Sequence, residues 1–337
     1  MAIDVHTHYF PEPVADMFRG RTKAPWIERM PGGGERLHLP VNILAFTEDY
    51  VDMDARLAFM DRMGVDAQLL SLAGLFGADS LPVEEAQPIC ETFNNEAAAL
   101  HRSHPERFAC LAALPFADMD AALAEYRRGR ELGLVGAVLP MNFFDSLEQA
   151  ERLRPLFDLA EALGGHLFLH PGPRPDQRPD LKADAPAPFS DNGVYRSSLE
   201  VQNKVGQAMV TLLMTDFLDG YGNLTVHVAN LAGTLPAVVE RLDNIVITRD
   251  PDAPLPSSMM KKVAVDCSSF GSESIEFAAK FIGAEHILLG TDCPIFRTDR
   301  TISGIEATRL SAPEKQAILH GNAVRLLSGV WPALGES

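Results

Sequence analysis

Short apolar runs rich in Val, Leu, Ile and Phe recur along the chain and are separated by longer amphipathic stretches, the pattern of βαβ units in a parallel sheet. Strands are expected at 2–7, 66–72 (DAQLLSL), 107–113 (RFACLAA), 134–140 (LVGAVLP), 165–170 (GHLFLH), 223–230 (NLTVHVAN), 262–267 (KVAVDC) and 286–291 (HILLGT). Helices are expected at 52–64, 84–104, 118–132, 148–163, 197–220, 234–242 and 272–282. Asp52 and Asp118 are suited to cap two of these helices, and Gly64, Gly133 and Gly164 to end three. Eight strands in this alternation predict an α/β fold, a closed (β/α)8 TIM barrel.

Two stretches interrupt the rhythm. Residues 9–50, with Pro11, Pro13, Pro25, Pro31, Gly32 to Gly34 and Pro40, form a long insertion after the first strand, and 171–196 is a Pro- and Asp-rich loop after the fifth. Loops that follow strands lie on the catalytic face of such a barrel, so both are expected to roof a pocket or meet a second subunit, the alternative being surface decoration. No repeat, low-complexity tract or linker divides the chain, and residues 1–337 are read as one domain.

Composition narrows the function. A chain with 46% hydrophobic and 22% charged residues is ordinary for a globular protein. A net charge of -17 argues against nucleic acid as a partner, since phosphate neutralisation needs a basic patch. An anionic substrate would need local Arg or Lys. The start MAIDVHTH lacks a basic segment followed by an apolar one, and no apolar run is long enough to span a bilayer, so a cytoplasmic protein is expected. Cys90, Cys110, Cys267 and Cys293 are scattered without C-x-x-C spacing, which fits reduced core thiols.

Three strand ends carry candidate chemistry. In His6-Thr7-His8 the two imidazoles fall on one side of an extended strand and form half of a divalent-metal site. His170 closes the fifth strand and Asp292 the eighth. Alone, His170 would read as a core residue and Asp292 as a turn former. Together they fall on one barrel face, where three imidazoles and a carboxylate can hold an ion and leave a coordination position open.

DVHTHYFP at 4–11, FMDRMGVDAQLLSL at 59–72, FLHPGP at 168–173, NLAGTLPAVVERLDN at 230–244, LLGTDCP at 288–294 and HGNAVRLL at 320–327 make the chain similar to the amidohydrolase-related proteins typified by aminocarboxymuconate-semialdehyde decarboxylase. The resemblance covers nearly the whole chain. It implies a metal held by His6, His8, His170 and Asp292, with zinc the first expectation and manganese the second, decarboxylation of a small conjugated or aromatic acid, and a homodimer. It also implies that Arg241 reaches a substrate carboxylate, in the decarboxylase from the neighbouring subunit; the other reading of Arg241 is a solvated helix residue beside Glu240 or Asp243.

Two departures from the family pattern matter. Members read H-x-G-G-x-x-P after the sixth strand, whereas this chain reads Asn230-Leu231-Ala232-Gly233-Thr234-Leu235-Pro236, with Asn230 at the histidine's position. Asn can orient a substrate oxygen but cannot shuttle a proton near neutral pH. His227, three residues earlier, is expected on the opposite face by strand parity. The family's second substrate arginine has no counterpart at Asn42-Ile43-Leu44, where Arg36 is the nearest candidate; His38 is a separate site candidate because it sits in the same pocket-side insertion.

These residues leave three readings. The first is a metal-dependent lyase decarboxylating a small conjugated acid, with Asp292 delivering a proton to the carbon that loses carbon dioxide and Asn230 orienting the substrate. The second is a metal-dependent hydrolase or hydratase of a lactone, ester or unsaturated acid. The third is a barrel that binds a ligand without turnover. Phe10, Trp26, Phe46, Phe76 and Phe296 stand on or near strand-end loops, where they are expected either to wall an apolar pocket or to pack.

Overall fold

A parallel strand covered on both faces is built from continuous apolar residues, and the expected runs fold as such strands. In the computed structural model, which describes residues 2–39, 43–177 and 192–335, the strands are β1 (Ile3–His8), β2 (Trp26–Arg29), β3 (Glu35–His38), β4 (Ile43–Phe46), β5 (Ala67–Ser71), β6 (Phe108–Ala112), β7 (Gly136–Pro140), β8 (Gly165–His170), β9 (Leu224–Val228), β10 (Ala264–Asp266) and β11 (Ile287–Leu288). Eight of them form one parallel sheet in the order β1-β5-β6-β7-β8-β9-β10-β11, matching the eight expected strands.

The sheet closes on itself next to the residues of interest. Val5 N–H donates to Leu289 O at 2.9 Å, His8 N–H to Cys293 O at 2.8 Å and Asp292 N–H to His6 O at 2.7 Å, with a parallel bridge between Thr7 and Cys293. The first strand and the last loop are therefore stitched together where both carry candidate ligands.

Helices surround the barrel largely as expected. Asp52 accepts from Ala55 N–H and Asp118 from Ala121 N–H at helix starts, and Gly64 ends its helix at φ 69°. Three bounds differ. The helix expected at 148–163 is a short turn at Leu147–Ala150, a 3-10 turn and a second helix Arg154–Leu163, because Pro155 has no N–H to continue a helix and suits the first turn of a new one. The helix expected at 197–220 spans Gly193–Leu213. Past its end the Thr215 hydroxyl donates to Thr211 O and accepts from Phe217 N–H, competing with helical pairing. The helix expected to end at 242 runs on to Arg249.

The insertion after β1 contains a helix, Glu12–Arg19, and the antiparallel sheet β2-β3-β4, neither of which the sequence reading anticipated. Residues 40–42 of this insertion and 178–191 of the loop after β8 lie outside the described residues. The four cysteines are free and buried, and burial raises their thiols, Cys267 to about 12, which favours the protonated form. Among the described residues no helix is long and apolar enough to cross a membrane.

Candidate metal centre

His6 and His8 end β1 on the barrel's inner side, and their rings stand 4.9 and 5.0 Å from that of His170 at the end of β8. Asp292 follows β11 with φ at 59°, a left-handed conformation that non-glycine residues seldom adopt, and its Oδ1 lies 2.8 Å from His8 Nε2 and 3.6 Å from His6 Nε2. One ligand atom from each of His6, His8, His170 and Asp292 lies within 4.8 Å of all the others.

Each imidazole is aimed by its other nitrogen. His6 Nδ1 is 2.9 Å from Asp266 Oδ2, His170 Nδ1 is 2.9 Å from Pro171 O, and His8 Nδ1 is 3.3 Å from Ser71 Oγ. Outer partners of this kind set which nitrogen keeps its lone pair. His6 Nε2, His8 Nε2 and Asp292 Oδ1 are buried and lack well-formed hydrogen bonds, although the last two are within ion-pair distance. Three inward polar atoms so placed cost stability unless something fills their bonding capacity, and a divalent cation fits them. Burial holds His8 and His170 below the ordinary histidine range, the latter aided by its neighbours His6 and His8, which keeps both lone pairs free. At His6 burial pulls the same way, but Asp266 and Asp292 outweigh it and raise the group to about 9.

Backbone spacing is as tight as the side-chain geometry. A Cβ at Gly290 would meet the Cβ atoms of both His6 and Asp266 at 2.7 Å. Gly290→Ala is therefore expected to cost about 1–3 kcal/mol through overpacking and to weaken metal retention at once. Denaturant midpoints and metal content measured on the same preparations check this.

The remaining candidates fall elsewhere. His227 is not turned away from the barrel interior as parity predicted: β9 stops at Val228, so alternation does not carry through to 230. Its Nε2 is 2.9 Å from Asp266 Oδ2 and its ring stacks on Phe168 at 4.3 Å. Asn230 is half-buried in a run of left-handed residues, with φ at 67°, 50° and 63° for Asn230, Leu231 and Ala232. Arg241 stands exposed on the helix Leu235–Arg249, and Arg36 is exposed on β3. His38 is 2.8 Å from Glu28 and stacks on Trp26 at 4.4 Å. Phe10, Phe46 and Phe76 are buried; Phe10 packs edge-to-face on Phe46, Phe76 and Tyr50, Phe46 stacks on Tyr50, and Phe296 is exposed.

Two residues of the site escaped the sequence reading. Asp266 ends the apolar run KVAVDC, and a carboxylate closing a buried strand was the available signal. Arg56 is buried on the helix Met53–Met63 and donates to His8 O at 2.7 Å, to Asp49 O and to Gln68 Oε1, steadying the end of β1 from outside. Amid a helix of ordinary charge pattern nothing marked it.

The family model for Amidohydrolase matches residues 3–329. Among curated proteins, the 2-amino-3-carboxymuconate-6-semialdehyde decarboxylase of Dictyostelium discoideum is 25% identical over 97% of this chain and 91% of its own length. The gamma-resorcylate decarboxylase of Polaromonas sp. is 27% identical over 81% of this chain and 86% of its own. Among solved structures, a dihydroxybenzoic acid decarboxylase from Polaromonas sp., with bound manganese and the inhibitor 2-nitroresorcinol, superposes with a TM-score of 0.68 at 22% identity, over 97% of this chain and 96% of the other.

Proposed function

The chain belongs to the amidohydrolase family, and from that premise we propose that it is a metal-dependent decarboxylase of a small aromatic or conjugated carboxylic acid. The observation that supports this most is the meeting of His6, His8, His170 and Asp292 within 4.8 Å, in a chain whose relatives are named as decarboxylases. His6, His8 and His170 would present Nε2 to the ion and Asp292 its Oδ1. Manganese in one structural neighbour keeps it beside zinc as a candidate. When bound, the ion supplies positive charge that holds the substrate carboxylate and draws electrons from the conjugated system.

The chain's own groups would do the rest. The Asp292 side chain keeps 13% exposure, so the carboxyl is reachable from the mouth of the barrel. A proton carried on Asp292 Oδ2 passes to the ring or chain carbon bearing the carboxylate and forms the new C–H bond. The bond from that carbon to the carboxylate then breaks, its electron pair returns to the conjugated system, and carbon dioxide leaves. Asp292 regains its proton from solvent. Asn230, with both donor and acceptor atoms, orients a neighbouring substrate oxygen, and Arg241 serves a carboxylate only across a dimer contact.

The test is carbon dioxide release from a panel of hydroxybenzoates and unsaturated acids by protein loaded with zinc or manganese. Metal-dependent release that a chelator abolishes is expected. Metal-loaded protein that releases none from the panel but cleaves lactones or esters contradicts the proposal.

A further inference from the structure

One buried carboxylate gathers four donors from three parts of the barrel. Asp266 Oδ2 lies 2.9 Å from His6 Nδ1 and 2.9 Å from His227 Nε2, and Asp266 Oδ1 accepts from Asn230 N–H at 3.2 Å and Ser268 N–H at 2.9 Å. All four acceptor directions of an ionised carboxylate are thereby used, and Asp266 is wholly buried.

We propose that Asp266 is the positioning residue that couples the metal centre to the substrate-side loop: through Oδ2 it holds His6 with the hydrogen on Nδ1 and the lone pair on Nε2, and through Oδ1 it anchors Asn230. The inference rests on the reading of His6 as a ligand. A carboxylate can only accept, so both facing imidazole nitrogens carry hydrogen. With Nδ1 engaged by Asp266, Nε2 is the nitrogen that His6 would offer to an ion beside His8 and Asp292. His227 turns a bare Nδ1 into the barrel interior, where it is buried without a hydrogen-bond partner. His227 itself braces the carboxylate, its ring fixed by the 4.3 Å stack on Phe168.

The second oxygen acts on backbone. Asn230, Leu231 and Ala232 all hold positive φ without being glycine, a costly run that needs external support. Gly233 gives one anchor: it sits so close to the helix Gly193–Leu213 that an added Cβ would be 2.2 Å from Gln202 O. Asp266 Oδ1 gives the other, at the first residue of the run. The same carboxylate thus orients a metal-facing imidazole and the residue expected to touch substrate.

Asp266→Asn keeps the volume and removes half of the acceptor capacity. Whichever way the amide turns, its NH2 faces either the two imidazoles or the two backbone N–H groups. If it faces the imidazoles, His6 must move its hydrogen to Nε2, where the ion would bind. The affinity of the full-length chain for Co(II), measured by competition with a chromophoric chelator, is expected to fall about 10–100-fold in Asp266→Asn, with a shifted visible Co(II) band. Long-range 1H–15N correlation on the wild-type zinc-loaded chain is expected to report hydrogen on His6 Nδ1 and His227 Nε2, and this needs no variant to fold. Wild-type protein that binds no Co(II) sinks the metal reading itself. Wild-type protein that binds Co(II), with Asp266→Asn binding equally well with the same band, or with His6 carrying its hydrogen on Nε2, overturns the role of Asp266.

Discussion

Asp292→Asn is expected to slow carbon dioxide release by about 10²–10⁴-fold, the range over which a positioned acid contributes. The amide is nearly isosteric and can keep an oxygen toward the ion, so a large part of the bound metal is expected to remain. What disappears is the transferable proton, on a side chain whose Oδ1 lies 3.6 and 2.8 Å from His6 Nε2 and His8 Nε2. Asp292 holds a left-handed backbone conformation that Asn tolerates as readily as Asp, so the fold is expected to survive and the loss to be chemical. Metal analysis beside single-turnover assays checks the split. Turnover within a few fold of wild type, with metal content unchanged, would remove Asp292 from the chemistry.

His8→Ala is expected to lose the ion altogether and activity with it. The ring would supply Nε2 to an ion and packs 5.2 Å from Phe76 and 5.0 Å from His170, and no other described imidazole is placed to replace it. The affinity loss should exceed the 10–100-fold typical of an outer partner, because a ligand itself is gone. Stability reports the same event. An ion present at about 1,000 times its dissociation constant stabilises the native state by about 4 kcal/mol. A chelator is therefore expected to lower the melting temperature of the wild-type protein and to leave that of His8→Ala unchanged. Equal responses in the two proteins would contradict the assignment of His8.

The barrel was legible because each of its strands is buried on both faces, so runs such as LVGAVLP and GHLFLH stand out whatever their surroundings. The candidate ligand set was legible through its combination: His8, His170 and Asp292 each close an apolar run, and all fall on one barrel face. The small sheet β2-β3-β4 was not. Its strands are four residues each, two of them mix Glu and Arg with apolar positions, and Gly and Pro stand between them, so no period could emerge. His227 was misjudged because parity counts residues, whereas the chain leaves the strand at Val228 and enters a left-handed run that no periodicity encodes. Asp266 shows a further limit. Its importance lies in four donors contributed by His6, His227, Asn230 and Ser268, and only the closed barrel brings those together.

The measurement that bears most directly on the central claim is an anomalous-scattering crystal structure of the metal-loaded chain, recorded at the absorption edge of the ion supplied. The account predicts one peak per chain, bonded to His6 Nε2, His8 Nε2, His170 Nε2 and Asp292 at the mouth of the barrel. A peak at another site, or a fully loaded crystal with no density between these four side chains, would contradict it.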